Sequence, residues 1–596
     1  MTPYRPPLAE IRFVFDCILE NAIQSITYDD FDAETRDSVL DEAGRLAADV
    51  LAPLNRAGDR EPARLENGTV RTTPGFAAAY RAFAEGGWAG IAADPDFGGQ
   101  GLPHALAVAV EEFWQSANLA FGLCPLLTHG AIEALTAHGS DELKRIYLPK
   151  LIAGTWTGTM NLTEPQAGSD VGALKTRAVR ADDGSYRITG QKIYITWGEH
   201  DCAENIVHLV LARLAGAPPG TRGISLFLVP KFLPDADGKP GVRNDLMCVG
   251  LEHKLGIHGS PTCTMAFGDN GGATGFLIGQ ENRGMAAMFT MMNSARLNVG
   301  VQGVAIAERA LQQARAYAAE RKQGKPIGLQ HEGAEMVAID RHPDVRRMLL
   351  TMQAGVEAGR ALCLATAVAT DGARHGADAE ARAAAKLREE LLTPLAKAWA
   401  TDFGVRAASL GVQIHGGMGF IEQTGAAQFY RDARILPIYE GTNGIQAIDL
   451  VMRKIGLGGG AAVEALFGEI TATCNDLTAA QSDALGMMPG QLSAGLEAAR
   501  LATAWLRERL GAGKPYDALA GATPYLELLA VVTGGHLLAR GALAASRLIA
   551  AGEGDAGFLT ARLAAARFFV ETEVPHAAGL LPAVMAGAEV LYAGEG

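Results

Sequence analysis

Val179-Arg180-Ala181-Asp182-Asp183-Gly184-Ser185-Tyr186-Arg187-Ile188 marks the place where this chain changes character. Apolar and polar residues alternate on both sides of Asp182-Asp183-Gly184-Ser185, the pattern of two antiparallel strands joined by a tight turn. Strand-like runs follow at Ile193–Thr196, Ile206–Leu211, Gly223–Val229 and Thr262–Phe267. Loops rich in Pro and Gly, at Ala217–Gly223 and Leu233–Val242, separate them. Upstream, Val39, Ala43, Leu46, Ala47 and Val50 recur at helical spacing, in a run expected to end at Pro53. Downstream, Leu297, Val301, Val304, Ala307, Leu311 and Ala314 restore the helical period, which persists through Val451. Gly456–Gly460 reads as a linker. Beyond it Leu492, Leu496, Ala499, Thr503, Leu506 and Leu510 line one face of further helix. The order is therefore α, β, α, and then an additional α region.

Composition narrows the class. A length of 596 residues gives a prior of about four domains. Hydrophobic content of 48% and charged content of 20% are those of an ordinary globular protein. With 52 basic and 66 acidic residues the net charge is −14, which argues against nucleic acid or an anionic membrane as partner. Seven cysteines include no CxxC pair, so reduced thiols and a cytoplasmic location are expected. The histidines show no metal-ligand spacing, and no metal is expected. Met1-Thr2-Pro3-Tyr4-Arg5-Pro6-Pro7 is not followed by the apolar core of a signal peptide. The apolar stretch Leu526–Leu543 contains Glu527, His536 and Arg540, and reads as a soluble helix without membrane insertion.

Five segments carry candidate chemistry. In Ile438-Tyr439-Glu440-Gly441-Thr442-Asn443-Gly444-Ile445-Gln446 a carboxylate stands between an aromatic residue and a glycine, among apolar neighbours. Desolvation there raises a glutamate pKa and makes a stronger base, and Gly441 admits a ligand close to the backbone. On local chemistry alone, a helix end or turn fits equally well. Met160-Asn161-Leu162-Thr163-Glu164-Pro165-Gln166-Ala167-Gly168-Ser169-Asp170 offers small hydrogen-bonding groups suited to a ring edge or phosphate oxygens, or to a surface turn. In Gln191-Lys192-Ile193-Tyr194-Ile195-Thr196-Trp197-Gly198, Tyr194 and Thr196 lie two apart on a strand and should face one side. Arg321 closes a helical run before Gly324-Lys325-Pro326-Ile327. Gln413-Ile414-His415-Gly416-Gly417-Met418-Gly419-Phe420 exposes backbone at paired glycines, as a helix end also would.

In their order along the chain the five strings resemble the acyl-CoA dehydrogenases over about residues 30 to 455. The resemblance implies an α+β fold: an N-terminal helical domain (1–156), a middle β-barrel or sandwich domain (157–282) and a four-helix bundle (283–457). An additional C-terminal helical domain (461–596) would follow. It implies non-covalent FAD, with Met160, Leu162, Thr163, Gly168, Ser169, Tyr194, Thr196 and Thr442 among its contacts. Arg321, Gln413, Gly416 and Gly417 would reach the flavin of a neighbouring subunit. Glu440 would take the α-proton of an acyl thioester while flavin takes the β-hydride. Ser169, Arg296, Tyr439 and Gly441 would touch the acyl-CoA. The product would be a trans-2-enoyl-CoA, and electrons would pass to an electron-transfer flavoprotein. A homodimer is implied, and a homotetramer is compatible. The sequence departs from the family pattern at Tyr194 (usually Trp), Trp197 (usually Asn), Gln323, Asn293 and His258. The long form is similar to the subgroup that includes 3-methylmercaptopropionyl-CoA dehydrogenases, some of whose long relatives act on ordinary fatty acyl-CoAs. An acyl-CoA oxidase using oxygen and a catalytically silent acyl-CoA-binding scaffold are the other readings. Met285, Met288, Met291 and Met292 fit an acyl pocket or plain core.

Overall fold

The computed structural model describes residues 2–26, 28, 31–325 and 335–594. The chain forms two compact units. The first comprises Met1–Gly44, His104–Glu112 and Arg296–Gly596, and the second comprises Arg45–Pro103 and Phe113–Ala295. Pro326 and Ile327 of the Gly-Lys-Pro-Ile string lie outside the described residues.

Helix α1 spans Ala33–Leu46 and leads through a π-helical turn, Ala47–Leu51, into α2, Ala52–Arg60. The expected stop at Pro53 is thus corrected. Pro53 occupies the first turn of α2, directly after the π-helical turn, where the ladder of backbone bonds is already widened and the missing N–H is accommodated.

The second unit is built on eight strands: β1 (Trp156–Asn161), β2 (Arg177–Arg180), β3 (Tyr186–Thr196), β4 (Asn205–Leu214), β5 (Ile224–Pro230), β6 (Leu246–Leu251), β7 (Thr262–Phe267) and β8 (Ala273–Ile278). Their order is β6-β7-β3-β8-β5-β4-β1, and β2 pairs with both β3 and β4. The pairings β3-β8-β5-β4-β2-β3 therefore close a ring. Successive residues of β4 serve opposite cores. Val207, Leu209 and Leu211 pack on the side of helix α3 (Leu119–His138), and Val210 and Ala212 pack inside with Phe227, Val229 and Phe267. A strand buried on both faces reads as a continuous apolar run, as β4 does. Met288 and Met291 are fully buried in the α3-side core. Tyr194 and Thr196 flank the buried Ile195 on the more open side of β3, and the regular pairing of the strand breaks between Lys192 and Ile195. Between Cys263 and Met265 the β7–β3 register shifts by one residue, a bulge with Tyr194 at φ +60°.

The first unit is helical: α4 (Gly284–Glu320, from Arg296 onward), α5 (Pro343–His375), α6 (Ala379–His415) and, after the loop that carries Glu440, α7 (Asn443–Asp449). At Gly303 the backbones of α4 and α6 come so close that a Cβ would sit 2.3 Å from the Ala400 carbonyl oxygen. The additional region contributes α8 (Ala461–Ala479), α9 (Met488–Gly511), α10 (Ala522–Ala551) and α11 (Ala556–Phe568). Helices α3 and α10 are long and apolar enough to cross a membrane, but most of each is covered by packing, which makes them core helices. Helix α10 packs on α5, α6, α8, α9 and α11. Buried ion pairs add to this: Arg360 of α5 bonds Glu112 at 2.6 Å and Glu308 at 2.9 Å, and Arg562 of α11 bonds Glu357 at 2.9 Å.

Candidate active site

In the first unit, Glu440 and Gly441 are consecutive left-handed residues, at φ +55° and +83°. Gly441 adopts this freely; for Glu440 it costs on the order of 1–3 kcal/mol. The turn ends where the Thr442 hydroxyl accepts the Ile445 N–H at 3.3 Å and caps α7. Glu440 is half-buried, and its carboxylate has no hydrogen bond among the described residues. Burial pushes its pKa up to about 7, against the pull of Arg296 and Lys397 toward the ionised form. The backbone N–H groups of Glu440 and Gly441 likewise donate to nothing among the described residues.

Two cations and an aromatic residue frame this carboxylate. Arg296 of α4 is buried, with Nη1 3.6 Å from Asp449 Oδ2, and a Cβ at Gly441 would lie 3.8 Å from its Nη2. Burial lowers the Arg296 pKa, against Asp449 and Glu440. The Tyr439 hydroxyl donates to Gln302 Oε1, so that residue presents its ring rather than its oxygen. Lys397 of α6 is fully buried and donates to the carbonyls of Leu436 (3.0 Å) and Gly441 (2.9 Å) and to Asn443 Oδ1 (2.9 Å). Sequence reasoning missed it. Its signal is a lone lysine in the apolar helical run Leu395-Ala396-Lys397-Ala398-Trp399.

In the second unit, the loop after β1 is held by a buried ion pair. Lys192 Nζ donates to the Leu162 carbonyl and to Glu164 Oε1, both at 2.9 Å. Glu164 also accepts from the Lys175 N–H (2.6 Å), the Thr176 N–H (3.0 Å), the Thr176 hydroxyl (2.6 Å) and Gln166 Nε2 (2.7 Å). Burial alone would raise the Glu164 pKa; Lys192 and these donors outweigh it and bring it down to about 2. The Ile193 N–H donates to the Thr163 carbonyl at 3.0 Å, joining this loop to β3. Met160 is buried in the core. Leu162, Thr163 and Thr196 are half-buried, and Gly168 and Ser169 are exposed. Tyr194 is 59% exposed beside them on β3, while Trp197 is buried with Nε1 bonded to the Ala120 carbonyl at 3.1 Å. An exposed aromatic on a bulge, next to half-buried hydroxyls and an open glycine, fits the face and edge of a planar polar ring system.

The structure brings Glu440, Tyr439, Gly441 and Arg296 together in the first unit, and joins Leu162 and Thr163 to the Tyr194–Thr196 strand in the second. Arg321, Gln413, Gly416 and Gly417 stand exposed on the first unit. Arg321 follows the end of α4. The glycines follow α6, where His415 stacks on Tyr317 at 4.4 Å.

A closed β unit flanked in sequence by helical segments, with a half-buried glutamate on a left-handed turn before a helix, is the arrangement expected of an acyl-CoA dehydrogenase. The acyl-CoA dehydrogenase N-terminal, middle and C-terminal domain families match residues 33–155, 159–270 and 282–455, and an acetyl-CoA dehydrogenase C-terminal-like family matches 466–594. The chain is 49% identical over 575 residues, 95% of each chain, to 3-methylmercaptopropionyl-CoA dehydrogenase of Ruegeria pomeroyi. It is 36% identical to a butyryl-CoA dehydrogenase of Syntrophomonas wolfei, over 92% of this chain and 91% of that one. Its fold matches Caenorhabditis elegans ACDH-11, solved in complex with C11-CoA, with a TM-score of 0.77 at 20% identity, covering 96% of this chain and 93% of that one. The chain therefore belongs to the acyl-CoA dehydrogenase family. It is an oxidoreductase, and its fold also matches an acyl-CoA dehydrogenase of Bacillus anthracis solved in complex with FAD, with a TM-score of 0.73 at 20% identity, covering 98% of this chain and 93% of that one.

Proposed function

We propose that the protein dehydrogenates a short acyl-CoA at Cα–Cβ to the trans-2-enoyl-CoA, with 3-methylmercaptopropionyl-CoA the first candidate substrate. The observation that carries this reading is a half-buried Glu440 carboxylate without a hydrogen-bond partner among the described residues and with a pKa near 7. Such a group is ionised often enough at neutral pH to accept a proton, and basic enough to do so. The free N–H groups of Glu440 and Gly441 suit a thioester oxygen that gains negative charge as the α-proton leaves. Glu440 then holds that proton as a neutral acid, which its burial favours against the pull of Arg296 and Lys397. Bound FAD supplies the hydride-accepting chemistry; Leu162, Thr163, Tyr194 and Thr196 would hold its ring.

The identity to the Ruegeria protein supports the substrate, since that relative's name specifies it. An electron-transfer flavoprotein is the proposed electron acceptor, and a cytoplasmic homodimer the proposed state, in keeping with seven unpaired cysteines. A role in dimethylsulfoniopropionate catabolism goes with that substrate. Anaerobic bleaching of the flavin by a panel of acyl-CoAs tests the reading. The expected result is fastest reduction by 3-methylmercaptopropionyl-CoA or a short straight chain; no bleaching by any acyl-CoA overturns it.

A further inference from the structure

Lys397 has no exposed surface, and a buried ammonium needs partners for all three hydrogens. Its partners, Leu436 O, Gly441 O and Asn443 Oδ1, all lie in residues 436–443, the segment that carries Glu440. The Glu440 carboxylate is not one of them. Asn443 is clamped in turn, donating Nδ2 to the Ala398 carbonyl at 3.1 Å and to Thr401 Oγ1 at 3.0 Å. One side chain of α6 thus ties down both flanks of the left-handed pair Glu440-Gly441. Such a pair persists only when its surroundings over-determine it.

We propose that Lys397 is a positioning residue for the base: it fixes the left-handed turn that presents the Glu440 carboxylate, and its charge favours the ionised form of that carboxylate. This rests on Glu440 being the base. The other charged groups around the pair are Arg296 from α4, Asp449 at the end of α7, Arg453 beyond it, and Asp402 on α6 facing Lys397. Glu527 and Arg434 act on Asp402 in turn. Removal of Lys397 leaves Arg296 alone among the described residues to favour ionised Glu440. Burial pulls the Lys397 pKa down to about 8, against Glu440 and Asp402, so the charge is present at neutral pH.

The test uses the FAD-loaded Lys397→Met variant beside wild type and Glu440→Gln. Difference infrared spectroscopy follows the carboxylic acid band of Glu440, assigned by its loss in Glu440→Gln, as pH is varied. The midpoint is expected to rise by about 1 pH unit in Lys397→Met. Anaerobic flavin reduction by 3-methylmercaptopropionyl-CoA, measured above that midpoint, is expected to slow by about 10–100-fold. A midpoint and a rate both equal to wild type overturn the proposal. Wild-type flavin reduction in Glu440→Gln overturns the base assignment instead. If Lys397→Met yields no folded holoenzyme, Asn443→Ala serves, since it removes one acceptor and keeps the ammonium. There the reduction is expected to slow by about fivefold with the midpoint unmoved, and a wild-type rate overturns the proposal.

Discussion

Two loops of this protein use the same pair of residue types to opposite ends. In the loop after β1, Lys192 donates directly to the Glu164 carboxylate, and four further donors complete its shell. In the loop before α7, Lys397 donates to backbone carbonyls and an amide and leaves the Glu440 carboxylate without a hydrogen bond. The first carboxylate is driven down to about 2 and the second up to about 7. Burial pushes both upward, so the difference lies in the donors. A fully satisfied glutamate suits a structural anchor, and a glutamate denied donors suits the proposed base.

The comparison can be broken most severely at the base. Glu440→Gln should retain FAD yet lose at least ~10³-fold in substrate-dependent flavin bleaching, about 4 kcal/mol in barrier terms. Stopped-flow bleaching checks this, and near-wild-type reduction would move the base elsewhere. Next comes the anchor. Glu164→Gln leaves buried Lys192 without its counter-charge and should cost about 3 kcal/mol of stability, read as a lower melting temperature. Glu164 has a folded pKa below its unfolded value. The stability it contributes is therefore present above the unfolded carboxylate range and lost as pH falls toward 2. The gap between wild type and Glu164→Gln should close over that window; a constant gap would deny the anchor its ionic character.

The acid–base behaviour of the two loops should also separate in kinetics. Flavin reduction by free enzyme and dilute substrate should rise with pH through a midpoint near 7, as Glu440 ionises, and then level. A profile flat from pH 5.5 to 8.5 contradicts the assignment. The smallest expected effect is on stability at the base. The folded pKa of Glu440 lies above its unfolded value, so ionisation destabilises the fold as pH rises from the unfolded carboxylate pKa through about 7. Glu440→Gln should therefore melt slightly higher than wild type at pH 8, by about 2–4 °C at most, and no higher at pH 4. A lower melting temperature at pH 8 would show that the charge supports the fold.

Much of the fold is legible in the sequence because period carries it. The run Thr262–Phe267 coincides with β7, and the return of helical spacing at Leu297 falls within α4. Pro53 misleads because a proline both ends helices and begins them, and only the π-turn before it shows which. The bulge at Tyr194 escapes because register depends on the partner strand, β7, which lies some 70 residues further along the chain. At the site, the apolar setting of Glu440 is written in its neighbours. Of its cations, Arg296 is implied by the family resemblance and Lys397 is not: they act on it from α4 and α6, and no local pattern pairs them. Glu164 and Lys192 stand within recognisable strings, but their pairing needs strand β3 laid beside the loop.

The discontinuity of the first unit sets an order of manufacture. All residues of the second unit have been synthesised once Ala295 is added, whereas the first unit still awaits the segment that begins at Arg296. Its segment upstream of the second unit, with Ile11, Phe13 and Ile18 all destined for burial, is made before that unit. Yet Phe13 meets its edge-on partner Phe558 only when α11 has been made. A segment made before the second unit therefore takes its place only after α11 has followed it.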